Sequence, residues 1–238
     1  MNPGKKIQIV IFTILCLLCV NVHAQYQKIE NLPKYDRQKF HFGFSLAVNT
    51  SDFKVVKVGN FQNFDSLYIL DNIKQTGFNL SIVSDLHLGE YFDLRFLPGL
   101  SFAQRDLIYT FYDNNVKGEV TKKESESTFL QLPVFLKFKS ERVNNFRAYV
   151  LAGVEYNIDM VSQAKVRNKD KDFVKLKRND YGYSIGVGFD FYMEMFKFSP
   201  EVRMFNGIPN LKVADETIYA RSLGALRSKI FTFSITFE

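Results

Sequence analysis

The 238-residue chain is rich in aromatic rings, with Phe 25 and Tyr 12 against Trp 0, and its formal net charge is +6. So mild a surplus, to which Lys5 and Lys6 of an export leader contribute, does not describe a nucleic-acid-binding protein. Both cysteines, Cys16 and Cys19, fall inside the same leader, so the mature chain is expected to have no disulfide, reactive thiol or cysteine-bound metal.

In chain order, Lys5 and Lys6 precede an apolar run over residues 7–20 broken only by Gln8 and Thr13, and Val22-His23-Ala24 offers a cleavage site before Gln25. That run is shorter than the ~20 residues of a spanning helix. Neither cysteine follows the small residues of a lipoprotein signal. We therefore expect a cleaved signal peptide over 1–24, a periplasmic N-terminal segment over 25–38, and a single domain over 39–238. No second apolar stretch could form a transmembrane helix, so a mature protein seated in a membrane would have to be a barrel.

The first strand, "KFHFGFSLAVN", alternates Phe40, Phe42, Phe44, Leu46 and Val48 with His41, Gly43, Ser45, Ala47 and Asn49. One face is apolar and the other small or polar. The second, "GFNLSIVSDLHLG", sets Phe78, Leu80, Ile82, Leu86 and Leu88 against Asn79, Ser81, Asp85 and His87. The third, "FDLRFLPGLSFAQR", opposes Phe92, Leu94, Phe96, Leu100 and Phe102 to Asp93, Arg95, Gly99, Ser101 and Arg105. The fourth, "FLQLPVFLKFK", places Leu130, Leu132, Val134, Leu136 and Phe138 opposite Gln131, Lys137 and Lys139. The fifth runs through Phe146, Val150, Val154 and Ile158, with Arg147, Gly153, Glu155 and Asp159 on its other side. In the sixth, Gly182, Ser184, Gly186, Gly188 and Asp190 face away from Tyr181, Tyr183, Ile185, Val187, Phe189 and Phe191. "FKFSPEVRM" and "IFTFSITFE" complete a set of about eight.

The connections alternate in length. Short ones surround Glu90, Val143 and Glu194; long ones run over 50–76, 106–128, 160–180 and 207–227. Short turns on one side and long loops on the other are the rhythm of outer-membrane barrels. Beside the short turns stand Tyr91, Phe92, Phe138, Phe146, Phe191, Tyr192 and Phe196, with Phe40 and Phe237 at the chain ends, as in an aromatic girdle. The fold expected is all-β: a transmembrane, antiparallel, up-and-down β-barrel of about eight strands, with apolar columns toward lipid and Asp85, His87, Asp93, Arg95, Lys137, Glu155, Asp190, Glu201 and Arg203 inside. Pro98, Pro133 and Pro200 fall within strands, where bulges are expected.

An interior that narrow is filled by side chains, and its charges must pair. A loop over 89–91 puts His87 opposite Asp93 and Asp85 opposite Arg95, while Asp190 is expected to face Lys197 across the next short turn. These are read as structural pairs. Lipid-modifying hydrolases do exist on small barrels, but His41 and His87 point inward near the short-turn end, away from where such chemistry sits. No metal-ligand spacing or phosphate loop appears, and no enzyme activity or cofactor is expected. The loop "KVRNKDKDFVKLKRND" gathers Lys165, Arg167, Lys169, Lys171, Lys175, Lys177 and Arg178. It is read either as a solvated loop or as a contact for lipopolysaccharide or an acidic partner.

Three stretches, "NLPKYDRQKFHFGFSLAVNTSDFKV", "YFDLRFLPGLSFAQRDLIY" and "FLQLPVFLKFK", resemble the PorT (SprT-like) outer-membrane proteins of Bacteroidota. The resemblance extends over essentially the whole mature chain, and its first two motifs are the more specific. It implies an integral outer-membrane component of type IX secretion, which exports cargo bearing a C-terminal sorting domain and in some bacteria supports gliding. It implies no catalytic residue. The expected partners are outer-membrane lipid, lipopolysaccharide and other secretion components. The alternative is a general small barrel with an envelope-structural or loop-mediated binding role, and a lipid hydrolase comes last.

Overall fold

A computed structural model describes residues 30–57, 67–113, 116–160, 176–213 and 223–238. Side chains are described for these apart from 55–57, 67–73, 104–113, 116–127 and 223. The expected leader over 1–24 lies outside the described residues. Among the described residues nine strands follow in order: β1 (Phe40–Lys57), β2 (Leu67–His87), β3 (Phe92–Phe96), β4 (Gly99–Asp113), β5 (Val116–Lys139), β6 (Phe146–Asp159), β7 (Asn179–Tyr192), β8 (Lys197–Gly207) and β9 (Leu223–Phe237). Every pairing is antiparallel. β1 pairs with both β2 and β9, which closes the sheet on itself. β3 and β4 both lie between β2 and β5, so they are two halves of one stave and the barrel has eight.

The break in that stave falls at Leu97 and Pro98, yet the expected bulges are absent at all three prolines. Ser84 pairs with Phe96 and Ser81 with Gly99, so the register with β2 runs unshifted past Pro98. The β5–β6 register passes Pro133, and the β8–β9 register passes Pro200, equally undisturbed. The reason is local. In an antiparallel ladder a bonded pair exchanges two hydrogen bonds, and proline forfeits only the one its nitrogen would donate. Pro98 still accepts from the Ile82 N–H at 2.9 Å, and Pro133 from the Leu97 N–H at 3.2 Å.

The ladders also extend beyond the apolar alternation. The links expected over 50–76 and 106–128 are mostly strand: β1 pairs with β9 as far as Lys57, and β4 with β5 as far as Asp113. Hydrogen-bonded pairing needs only backbone, so it persists where the lipid-facing pattern has ended. β5 is 24 residues long, whereas crossing the hydrocarbon takes about 9–11. A hairpin shaft therefore projects past the membrane band on the long-loop side.

Polarity is inverted relative to a soluble protein. Phe42 is 68 % exposed on the outer face while Arg95 is 0 % exposed within. The girdle rings Phe40, Tyr91, Phe92, Phe138, Phe146 and Phe196 are exposed, and Phe191 and Phe237 half-buried. Tyr192 is not one of them. The outward column of β7 runs on odd numbers to Phe191, so Tyr192 turns into the lumen and is buried.

Candidate functional site

The interior is assembled from the β2–β3 hairpin outward. Its register sets Asp85 against Arg95 and His87 against Asp93. The Arg95 guanidinium grips Asp85 with two bonds, Nε to Oδ1 at 2.7 Å and Nη2 to Oδ2 at 2.6 Å, the fork geometry that makes such pairs strong. His87 Nδ1 lies 2.8 Å from Asp93 Oδ1, and Lys139 of β5 donates to the same oxygen at 2.7 Å. Arg95 also reaches across the lumen, to Glu201 of β8 at 3.3 Å and to Glu238, after β9, at 2.8 Å.

Asp190 and Lys197 do not bond to each other directly. Asp190 accepts from Lys137 at 3.0 Å and from the Ser199 hydroxyl at 2.6 Å, whereas Lys197 donates to Glu238 at 2.7 Å. Register explains the correction. Tyr192 stands opposite Lys197 and Phe191 opposite Phe198, so Ser199 is the inward neighbour across from Asp190. Glu238 escaped the sequence reading, although it continues the even-numbered inward column Thr232, Ser234, Thr236 of β9 and its parity was legible.

Tyr149 occupies the middle of this network. Lys137 Nζ sits 3.8 Å from its ring centre, and its hydroxyl donates to Glu201 at 2.9 Å. The ring lies over Gly188, directly opposite on β7, where an added Cβ would come within 2.4 Å of it. That contact accounts for one glycine of the small-residue column. Nearer the long loops a polar belt follows the wall: Asn49 donates to Asn79, Ser101 to Asn79 at 2.9 Å, Asn79 to Gln131 at 3.2 Å, and Gln131 to Glu155 at 3.1 Å. Ser184 closes the run on Glu155 at 2.9 Å.

At the short-turn end residues 30–38 fold across the opening, with a short 3-10 turn at Tyr35–Arg37. The Tyr35 ring stacks on His41 at 3.9 Å, and its hydroxyl donates to Glu238 at 2.7 Å. Asp36 accepts from Arg147 at 3.0 Å and from the Tyr192 hydroxyl at 3.3 Å. Arg142, from the β5–β6 turn, lies 3.7 Å above the Tyr192 ring and donates to the Asn31 carbonyl. Burial pushes the Tyr35 phenol well above the ordinary tyrosine range, an effect larger than the opposing pull of Lys197. The segment thus caps the lumen with the same charged groups that fill it.

Of the basic loop, Lys165, Arg167, Lys169, Lys171 and Lys175 lie outside the described residues. Lys177 and Arg178 are exposed, with the Lys177 N–H bonded to the Leu211 carbonyl at 2.8 Å.

With this inverted, closed sheet in view, the family is decided by one match. Residues 24–212 fit the family model described as outer membrane protein beta-barrel domain. The chain belongs to that family. Its outer columns are therefore the surface that meets membrane hydrocarbon. Among solved structures the barrel is similar to the outer membrane protein OprG from Pseudomonas aeruginosa, at 14 % identity over 83 % of this chain and 92 % of that one, with a TM-score of 0.42. It is likewise similar to neisserial surface protein A, at 10 % identity over 84 % and 98 % and a TM-score of 0.43. A third is Ail, the attachment invasion locus protein of Yersinia pestis, in complex with the heparin analogue sucrose octasulfate, at 12 % identity over 84 % and 99 % and a TM-score of 0.38. No curated protein sequence matches the chain significantly.

Proposed function

We propose that this outer-membrane barrel serves type IX secretion as an accessory or assembly component, acting through its surfaces and not as the conduit. The observation that carries the mode of action is the blocked lumen: Arg95 pairs with Glu201 and Lys137 with Asp190, all buried around Tyr149, and the segment over 30–38 lies across the short-turn end. A folded cargo is far wider than an eight-stranded interior filled by side chains. The pathway itself rests on the resemblance to the PorT (SprT-like) proteins. The stretches that carry it supply Tyr35 and Asp36 of the cap, His41 on which Tyr35 stacks, and Asp93, Arg95, Lys137 and Lys139 of the network.

Deletion of the gene tests the reading. Cargo with the sorting domain should accumulate unprocessed in the periplasm while other outer-membrane proteins stay at normal levels. Secretion and maturation at wild-type levels would overturn it and leave a general envelope barrel.

A further inference from the structure

Above the apolar band the outer wall changes character on one side. Among the described side chains, the outward strand columns carry four cations, Lys54, Lys74, Arg227 and Lys229, and all stand on the adjacent strands β2, β1 and β9. All four are exposed. Register puts Lys54 directly opposite Arg227 and Asp52 opposite Lys229, and Lys74 Nζ lies 3.9 Å from Asp52. Among the described side chains, these four outward cations stand with the single carboxylate of Asp52. Like charges directly opposite each other destabilise a ladder, and an anion held between them reverses the sign.

What lies beneath is continuous with the cluster. Phe231 is two residues from Lys229 on the same outward column and lines a groove of about 690 Å³ in the wall, together with Ala152, Ile185, Val187, Val202 and Met204. Ala152 stands between Leu136 and Ile185 in register, and its small side chain lowers the wall there. The strand columns in the groove are apolar, and the closed sheet offers no free edge for a partner strand to extend. A headgroup-level cluster of positive charge directly above an apolar channel matches one class of molecule.

We propose that the β2–β1–β9 face binds a phosphorylated lipid of the outer leaflet, with Lys54, Arg227 and Lys229 holding phosphate and an acyl chain lying in the groove below. The long-loop end, where the cluster sits, is the outward end in barrels of this kind. The inference rests on the membrane placement of the barrel and not on the secretion reading.

Native mass spectrometry of the folded full-length mature barrel tests it, with bisphosphorylated lipid A, its dephosphorylated form and inorganic phosphate as probes. The wild-type barrel should retain the phosphorylated lipid at least tenfold better than the dephosphorylated one, and millimolar inorganic phosphate should not displace it. K54Q/R227Q/K229Q should erase that preference, at about fivefold per cation, while keeping the unboiled gel mobility of a folded barrel. Ala152→Trp should weaken retention of both lipids. Equal retention of the two lipids by wild type overturns the proposal even if the triple variant fails to fold, and so does an unchanged preference in a folded triple variant. Ready displacement by inorganic phosphate would reduce the site to a simple anion site and overturn it as well.

Discussion

Arg95→Met is the sharpest probe of the interior. Arg95 serves three carboxylates, but they do not depend on it equally. Glu238 keeps Lys197 and the Tyr35 hydroxyl, each at 2.7 Å, and Glu201 keeps the Tyr149 hydroxyl at 2.9 Å. Among the described residues Asp85 accepts side-chain hydrogen bonds from Arg95 alone, and both groups are at most 1 % exposed. The loss should therefore concentrate on one stranded carboxylate, at about 4 kcal/mol, the usual result of breaking a buried pair from one side. Asp85→Ala alone should cost less, about 1–2 kcal/mol, because Arg95 retains Glu201 and Glu238. The double variant should fall well short of the sum, with a coupling of about 2–3 kcal/mol. Urea titration of barrels refolded in vesicles, read by the gel shift between unboiled and boiled samples, gives all four corners of the cycle. Additivity within about 0.5 kcal/mol would refute the idea that Asp85 relies on Arg95.

Gly188→Ala should destabilise the barrel by about 1–3 kcal/mol in the same titration, because the new methyl group meets the Tyr149 ring; Tyr149→Leu in that background should restore part of the loss. The raised Tyr35 pKa means that its contribution to docking is complete below the ordinary phenol value of 10.0 and is lost as pH rises above it. Proteolysis of the N-terminal segment should accordingly accelerate above about pH 10, and Tyr35→Phe should flatten that rise. Asp36→Ala removes the acceptor shared by Arg147 and Tyr192 and should make the segment cleavable at neutral pH, without a matching change in barrel unfolding. In planar bilayers the wild-type barrel should show no large steady conductance, and stable wide openings would contradict the packed lumen.

Period-two alternation was enough to assign nearly every side chain to a face, because a strand leaves only two choices and the sequence made them one-sided. Phe40, Phe42 and Phe44 lie outside and Asp85, Arg95 and Lys137 inside, as their parity requires. A short turn also settles register, so the neighbours across the Glu90 hairpin could be named from the sequence. Parity was equally available for Tyr192 and Glu238, whose inward positions follow from counting along β7 and β9. What parity cannot supply is distance across the lumen. Arg95 meets Glu201 and Glu238, and Lys137 meets Asp190, only because strands far apart in sequence are curved around one axis. Lys197 was assigned to the wrong acid for a different reason: its partner Glu238 stands beside it across the β8–β9 ladder, whose register the long link between those strands leaves open to sequence counting. The cap, too, belongs to tertiary structure, since residues 30–38 have no alternation to read and take their shape from the barrel mouth they cover.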